Sequence, residues 1–115
     1  MRPIPKNLLI HTVTMYKRIK MDKWGKAEMD AGQTLSNIRV EPSKQIVRDK
    51  NNAEVQLAAT LFYDCRNSQP SDILFEVDQI IDFNGQKYQI KTVEPLYDST
   101  KLHHYEVGMV RYGKD

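Results

Sequence analysis

The chain has 115 residues, the size of one domain, and its 17 Lys and Arg side chains against 15 Asp and Glu leave a net charge of +2, which argues against nucleic-acid binding through bulk charge, although a local basic patch stays possible. Its 40% hydrophobic residues support one modest core, and a lone cysteine, Cys65, rules out an intramolecular disulfide and fits a reducing compartment. Without an apolar run near the roughly 18 residues of a membrane span, or the apolar stretch of a signal peptide, the protein is expected to be soluble, free of membrane contacts and intracellular at synthesis.

Residues 1–7 contain two prolines and no hydrophobic periodicity, which predicts an extended arm, because proline lacks the N–H that a strand or helix uses. We expect a frayed terminus here in preference to an arm docked on the domain. The stretch from Leu8 to Arg18 is rich in β-branched and aromatic residues and predicts the first strand, with apolar side chains on both faces. His11 within it is interpreted as a core or edge histidine.

Residues 19–32 are ambiguous. Asp22 to Lys26 has the composition of a turn, and the stretch from Ala27 to Asp30 is too short for a stable isolated helix. Trp24 is the only tryptophan. We expect it to cap one end of the core, with contact to a partner protein as the alternative, because tryptophan is enriched in interface hot spots.

Leu35 to Glu41 predicts a second strand that ends before Pro42. A long polar loop follows over residues 42–54, and loops of this length in a compact domain are often functional or disordered. Its cations are Lys44, Arg48 and Lys50. A flexible surface insertion and a functional loop are equally compatible with this composition.

Val55 to Cys65 predicts the third strand. A helix over residues 52–62 competes, because Ala and Leu favour one, but Thr60 and the aromatic pair Phe62-Tyr63 favour a strand. Residues 66–71 predict a loop. Residues 72–77 fit either one helical turn capped by Ser71 or a short strand.

Asp78 to Leu96 contains the strongest local signal in the chain, because two apolar runs flank Asn84-Gly85. Asn-Gly predicts a type I′ hairpin turn, which needs positive φ at both central residues. Beyond the turn, apolar and polar residues alternate as in a half-buried strand, and the register is expected to break near Thr92.

Leu102 to Tyr112 predicts the last strand, after a connector at 97–101. The sequence therefore indicates a mainly β fold: a small antiparallel barrel or sandwich of about six strands, with at most one short helix and a long loop between strands two and three. We expect a single domain over residues 1–115.

No catalytic signature emerges from the residue pattern, and an enzyme is not expected. Cys65 lies at a strand end without a nearby histidine and is interpreted as a small core residue. His104 and Glu106 would share a strand face, and His11 could join them on a metal, but His103 and His104 are adjacent and should point to opposite faces. The pattern therefore predicts no cofactor and no metal.

Several stretches, in this order and spacing, carry a family likeness over nearly the whole chain: Pro5 to His11, Trp24-Gly25, Asn37 to Glu41, Leu61 to Asp64, Asn67 to Pro70, Phe83 to Ile90 with Val93, and His103 to Glu106. They resemble the minor capsid proteins of tailed bacteriophages that infect Gram-positive hosts. More distantly, they are similar to the head–tail joining, or stopper, proteins of the siphophage neck.

The joining-protein pattern is an acidic residue, two apolar positions, Gly, Tyr-x-Ile and Val. It matches here at Asp78, Ile80 with Ile81, Gly85, Tyr88-Gln89-Ile90 and Val93, and Asn84 before the glycine is a departure that such hairpins allow.

This resemblance implies a structural virion protein at the head–tail junction, made in the host cytoplasm. Stopper proteins are small β-barrels that assemble as rings, usually of six or twelve copies, between the portal or adaptor and the tail. Their long mobile loop closes the channel on packaged double-stranded DNA. The equivalent loop here is 42–54, where Lys44, Arg48 and Lys50 would meet DNA phosphates without reading sequence.

Two other functions compete with the stopper. The first is another ring of the same assembly, either a tail terminator or an adaptor. The second is an OB-like module for single-stranded nucleic acid, which would need exposed aromatic side chains beside cations. The candidates are Tyr16, Tyr63, Tyr88 and Tyr105, and strand alternation places most of them inward.

Overall fold

Six antiparallel strands close into a barrel with the order β1-β4-β7-β10-β9-β8. A computed structural model describes residues 2–17, 19–21, 24, 27–29 and 31–113. The barrel strands are β1 (His11–Tyr16), β4 (Gln33–Pro42), β7 (Ala59–Asp64), β8 (Ile80–Phe83), β9 (Gln86–Asp98) and β10 (Lys101–Arg111). Closure comes from β1, which pairs with β4 on one side and β8 on the other. The predicted mainly β fold is confirmed.

Four further strands form two small ribbons outside the barrel. These are β2 (Ile19–Met21) with β3 (Ala27–Met29), and β5 (Ile46–Arg48) with β6 (Glu54–Gln56). Helical structure in the described part of the chain is limited to a 3₁₀ turn at Lys6–Leu8, and no helix there is long and apolar enough to cross a membrane. The sequence predicted about six strands, so both ribbons are additions to that prediction.

The barrel interior is filled by apolar side chains from alternate positions of the strands, as period-2 geometry requires. Those with no exposed surface include Met15, Leu35, Ile38, Leu61, Ile81, Ile90, Val107 and Met109. Residues 72–77 are neither helix nor strand, contrary to both predicted alternatives. They contribute Ile73 and Phe75 to the core, and the Phe75 ring packs edge-on against Tyr63 at 5.5 Å.

The Asn-Gly hairpin forms as predicted between β8 and β9. Asn84 has φ of 52° and Gly85 of 83°, and both values belong to a type I′ turn. The predicted register break is also present, because β10 pairs Gly108 with Thr92 but the next residue, Met109, with Ile90. The one unpaired residue, Lys91, is a β-bulge.

The first predicted strand begins later than expected. Leu8 belongs to the 3₁₀ turn, so β1 starts at His11 and ends at Tyr16, and Arg18 lies outside the described residues. His11 accepts a hydrogen bond at Nδ1 from the backbone N–H of Val40 (3.0 Å), which makes it an edge histidine bound to a neighbouring strand. The third predicted strand is interrupted at Leu57-Ala58, so Val55 belongs to β6 and the barrel strand β7 begins at Ala59.

The N-terminal segment, residues 2–8, is docked on the barrel, so the expectation of a frayed terminus is wrong for these residues. The backbone N–H of Ile4 donates to Asp64 Oδ1 (2.9 Å), and the carbonyl of Ile4 accepts from the Asn67 side chain (2.7 Å). Asp64 is fully buried and also accepts from the backbone N–H groups of Arg66 and Asn67. A carboxylate with three backbone donors is a well-satisfied buried anion.

Replacing Gly85 with valine should lower the free energy of unfolding by about 1–2 kcal/mol, because a side chain in the left-handed region is strained. No atom lies within 4 Å of the position that a Cβ would occupy, so the effect would be conformational and not steric. Chemical denaturation measures it. Gly85→Asn is the matched control and should be nearly neutral, since Asn tolerates positive φ. Equal stability of the valine variant and the unmodified protein would contradict the type I′ turn.

Candidate functional site

The predicted functional loop at 42–54 is in fact part of a hydrogen-bonded hairpin, the β5–β6 ribbon (residues 43–57), which continues β4 and β7 beyond the barrel. After the last barrel pair, the N–H of Ser43 donates to Ala58 (3.0 Å) and the N–H of Leu57 donates to Gln45 (2.8 Å). Four residues separate Pro42 from Ile46, but only three separate their partners Ala59 and Gln56. The outgoing strand therefore carries one extra residue at the root of the ribbon, a β-bulge.

The ribbon has two different faces, because directly paired residues of an antiparallel ladder lie on the same side. Val47 pairs with Val55, and both are half-buried. The opposite face carries Ile46, Arg48, Glu54 and Gln56, all exposed, and Ile46 retains 63% of its surface. The ribbon therefore offers a polar face with one exposed isoleucine to a neighbouring molecule.

Leu57 anchors the root of the ribbon. It is buried, and its Cδ1 lies 2.8 Å from the position that a Cβ on Gly108 would occupy, with Thr92 Oγ1 even closer to that position. Glycine on β10 is thus what allows the ribbon root and β9 to approach so closely. The ribbon is fixed to the barrel where it begins and extends away from that point.

Asp49 organises the tip. Its Oδ1 accepts from the backbone N–H groups of Asn51 (2.9 Å) and Ala53 (3.0 Å), and the Asn52 N–H donates to the Asp49 carbonyl (3.0 Å). This is an Asx turn, in which a side chain replaces part of the backbone ladder. The hydrogen bond from Ala53 is the main cause that holds the pKa of Asp49 below its ordinary value, and the one from Asn51 adds to it.

The three cations predicted to face DNA occupy three different environments. Lys44 is exposed at the ribbon root. Arg48 donates to the Asn52 carbonyl (2.9 Å) and lies 3.6 Å from Glu54. Lys50 forms an ion pair with Asp78, just ahead of β8, so the tip is tied to the barrel body. The structure brings them onto one ribbon, with two of them partly neutralised by carboxylates.

Trp24 lies at a turn between β2 and β3 and is 77% exposed, so the expectation that it caps the core is wrong. The residues on either side of it, including Gly25 of the predicted turn, fall outside the described part of the chain. Its proposed contact with a partner stays a prediction. Leu8, Ile10, Leu74 and Tyr97 are also exposed apolar residues.

Cys65 lines an apolar cleft of about 500 Å³ with Tyr63, Tyr105 and Ile73. Burial is the main cause that raises the pKa of the Cys65 thiol, and the nearby Asp64 carboxylate adds to it. A thiol with a raised pKa stays protonated at neutral pH and is a poor nucleophile. The geometry thus agrees with the structural role expected for this cysteine.

The histidines lie differently from the prediction. His103 and His104 are adjacent, yet their Nδ1 atoms are 2.7 Å apart, so they do not point to opposite faces. The β10 ladder shifts register between Leu102 and His104, and this irregularity turns the two rings toward one another. His104 and Glu106 share a face as expected (3.0 Å). Among the described residues, no three of His, Cys, Asp and Glu are grouped so as to hold a metal.

Sequence reasoning missed the ribbon strands and the Lys50–Asp78 pair. A signal for the ribbon was present, because Ile46-Val47-Arg48 and Glu54-Val55-Gln56 are apolar at matching positions and place Arg48 opposite Glu54. Asp49 followed by Asn52 is a turn signature between them. The pairing of Lys50 with Asp78 joins residues 28 positions apart and leaves no local signal.

A protein-family model described as "Minor capsid protein" matches residues 5–109, which is nearly the whole chain. Comparison with curated proteins and with solved structures finds no match.

Replacing Asp49 with alanine should speed hydrogen exchange at the Asn51 and Ala53 amides at neutral pH while leaving the melting temperature of the barrel unchanged. The folded pKa of Asp49 is lowered, so its contribution is fully present above its ordinary pKa and is lost as the pH falls through the folded value. NMR-detected exchange measures this.

Asp49→Asn is the matched control, because the amide oxygen can accept the same bonds without a charge. Its amides should stay protected at neutral pH. A tip that exchanges equally in the alanine variant and the unmodified protein would show that Asp49 does not order it.

Proposed function

The chain belongs to the minor capsid protein family, a family of structural proteins of the phage virion, and from this premise we propose that it is a head–tail connector of the stopper type. In this proposal its copies form a ring below the portal and help to close the DNA channel. The ring meets the portal or adaptor on one side and the tail on the other. The virion is accordingly where the protein would work.

The observation that carries the proposal is the β5–β6 ribbon. A closed barrel leaves no unpaired edge on its own body, so it suits a rigid ring subunit. The ribbon is the long connection between β4 and β7 and extends beyond the last barrel pair. Repeated around a symmetry axis, such ribbons would converge on the channel.

The charge of the ribbon suits contact with DNA phosphates at low affinity per copy. It carries Lys44, Arg48 and Lys50 against Asp49 and Glu54, a net of +1. Single contacts of this kind are weak and depend on salt. A ring presents many copies at once, so the combined binding is much stronger than that of one ribbon.

The Lys50–Asp78 pair suggests how the ribbon would change position. Both side chains are about half-exposed, at 57% and 40%, and exposed ion pairs contribute roughly 0–1 kcal/mol. DNA phosphates could therefore take Lys50 from Asp78 at little cost. The ribbon would then rest against its own barrel when the channel is empty and turn to the DNA when the head is full.

Two alternatives are retained as outcomes of experiment. A tail terminator or adaptor would use the same barrel in another ring of the neck. An OB-like single-strand binder is disfavoured by the positions of its aromatic residues: Tyr63 is buried, and Tyr88 and Tyr105 pack against the core. Side chains packed in this way offer no open stacking surface.

Shortening the ribbon by removing residues 46–56 and joining its root should give heads that package DNA but lose it, detected as nuclease-sensitive genomes in purified heads. The triple variant Lys44→Ala, Arg48→Ala and Lys50→Ala should leak less, because the backbone of the plug stays. Lys6→Ala with Lys101→Ala removes exposed cations elsewhere and is the matched control.

Heads that stay sealed with the shortened ribbon would remove the gating role of this segment. Electron microscopy of assembled necks distinguishes the alternatives, because a terminator would be found at the tail end and an adaptor directly on the portal.

A further inference from the structure

Four groups stand in a row where the N-terminal segment meets β10. Glu106 Oε2 lies 3.0 Å from His104 Nε2, and His104 Nδ1 lies 2.7 Å from His103 Nδ1. His103 Nε2 in turn lies 2.6 Å from the backbone carbonyl oxygen of Arg2. The row therefore links a carboxylate on the barrel to the backbone of the N-terminal segment through two imidazole rings.

The chemistry of the two ends fixes the protons in between. A carbonyl oxygen only accepts, so His103 Nε2 must carry the hydrogen, and a neutral His103 then has a bare Nδ1. A carboxylate also only accepts, so His104 Nε2 must carry a hydrogen. The bare Nδ1 of His103 requires a second hydrogen on His104 Nδ1. All three bonds form together only when His104 is an imidazolium and His103 is neutral.

We propose that His103 and His104 form a pH-sensitive latch that fastens the N-terminal segment to the barrel, closed only while the two rings share a single extra proton. The carboxylate of Glu106 balances that proton. This is a property of the isolated chain and does not depend on the ring or on DNA.

Every other protonation state breaks the row. Without the extra proton the pair has only two hydrogens for three bonds, so either Glu106 or Arg2 loses its donor. With both rings protonated, two N–H groups face each other across 2.7 Å and two positive charges repel. The latch therefore opens on both sides of an intermediate pH range, and its two proton-binding steps belong to the pair, not to one ring.

The charges around the pair favour a single extra proton. Asp98 on β9 lines a surface recess with His103, and Arg66 and Lys101 line the same recess. On the other side, Arg39 and Glu41 of β4 line a groove with His104, and these two are paired with each other at 2.7 Å. Asp64, opposite His104 on β7, accepts from three backbone N–H groups. Glu106 is the carboxylate bonded directly to the pair.

The latch is one of two attachments of the segment. The other is the pair of bonds that Ile4 makes with Asp64 and Asn67, which involves no imidazole. Opening the latch would free the end at Arg2 and loosen the rest. Ile4 and Leu8 also form one wall of the groove that contains Phe62 and His104, so the shape of this groove would change with the latch.

NMR on the full-length chain tests the latch over about pH 4.5 to 8.5, the range in which histidines titrate. Long-range ¹⁵N spectra should show His103 as the neutral Nε2–H form while His104 is an imidazolium. The Arg2 carbonyl ¹³C shift and the Ile4 amide protection factor should pass through a maximum in the same pH range. The expected fall on either side is roughly five- to tenfold in protection, as for loss of one hydrogen bond.

Two variants separate the latch from ordinary packing. His103→Gln keeps a donor near Arg2 without a titrating group, so the pH dependence of Ile4 protection should flatten. Glu106→Gln keeps an acceptor without the charge, so the maximum should fall and the imidazolium form of His104 should be less populated. His11, whose Nδ1 accepts from Val40, is the internal reference and should not follow the Arg2 signal.

Independent titration of His103 and His104, with an Arg2 carbonyl shift that does not change with pH, would overturn the proposal. Unchanged pH dependence of Ile4 in Glu106→Gln would do so as well, and that variant changes a side chain that is partly exposed at 37% and should fold.

Discussion

Closure of the sheet through β1 is the constraint on which the rest of the structure depends. Without the pairing of Thr14, Met15 and Tyr16 with β8, the sheet would end in two unpaired edges, and the side chains of Val13 and Met15 would face an open trough. Closing the ladder unites strands from both ends of the chain around one interior. It also explains why β1 is so rich in β-branched and aromatic residues.

Closure also determines which parts of the chain are free to carry function. Residues on the inner faces are committed to packing, and the backbone of the barrel is committed to its ladder. What remains are the segments outside the closed circuit: the β5–β6 ribbon, the turn at Trp24 and the N-terminal segment. Membership of the minor capsid protein family identifies a structural virion protein, and these three segments are where its contacts with neighbours would differ from those of other small barrels.

Local signals allowed much of the fold to be predicted, whereas features created by distant contacts were missed. Asn84-Gly85 was predictable because a type I′ turn depends on two adjacent residues alone. The docking of Ile4 was not, since its partner Asp64 lies 60 positions away and its buried charge has no sequence pattern. The orientation of His103 was predicted wrongly, because strand alternation fails where a ladder shifts register. Within the candidate site, the cations were found but the carboxylates that hold two of them were not.

The one-residue bulge at the root of the β5–β6 ribbon has an evolutionary consequence. The ribbon lies outside the closed ladder, so its length can change without disturbing the interior, and the entropic cost of a longer loop rises slowly. Side chains alternate between faces, so insertion of residues in pairs preserves which side chains point outward, while a single insertion exchanges the two faces. Relatives should therefore differ in ribbon length by even numbers, or compensate an odd change by gaining or losing the bulge.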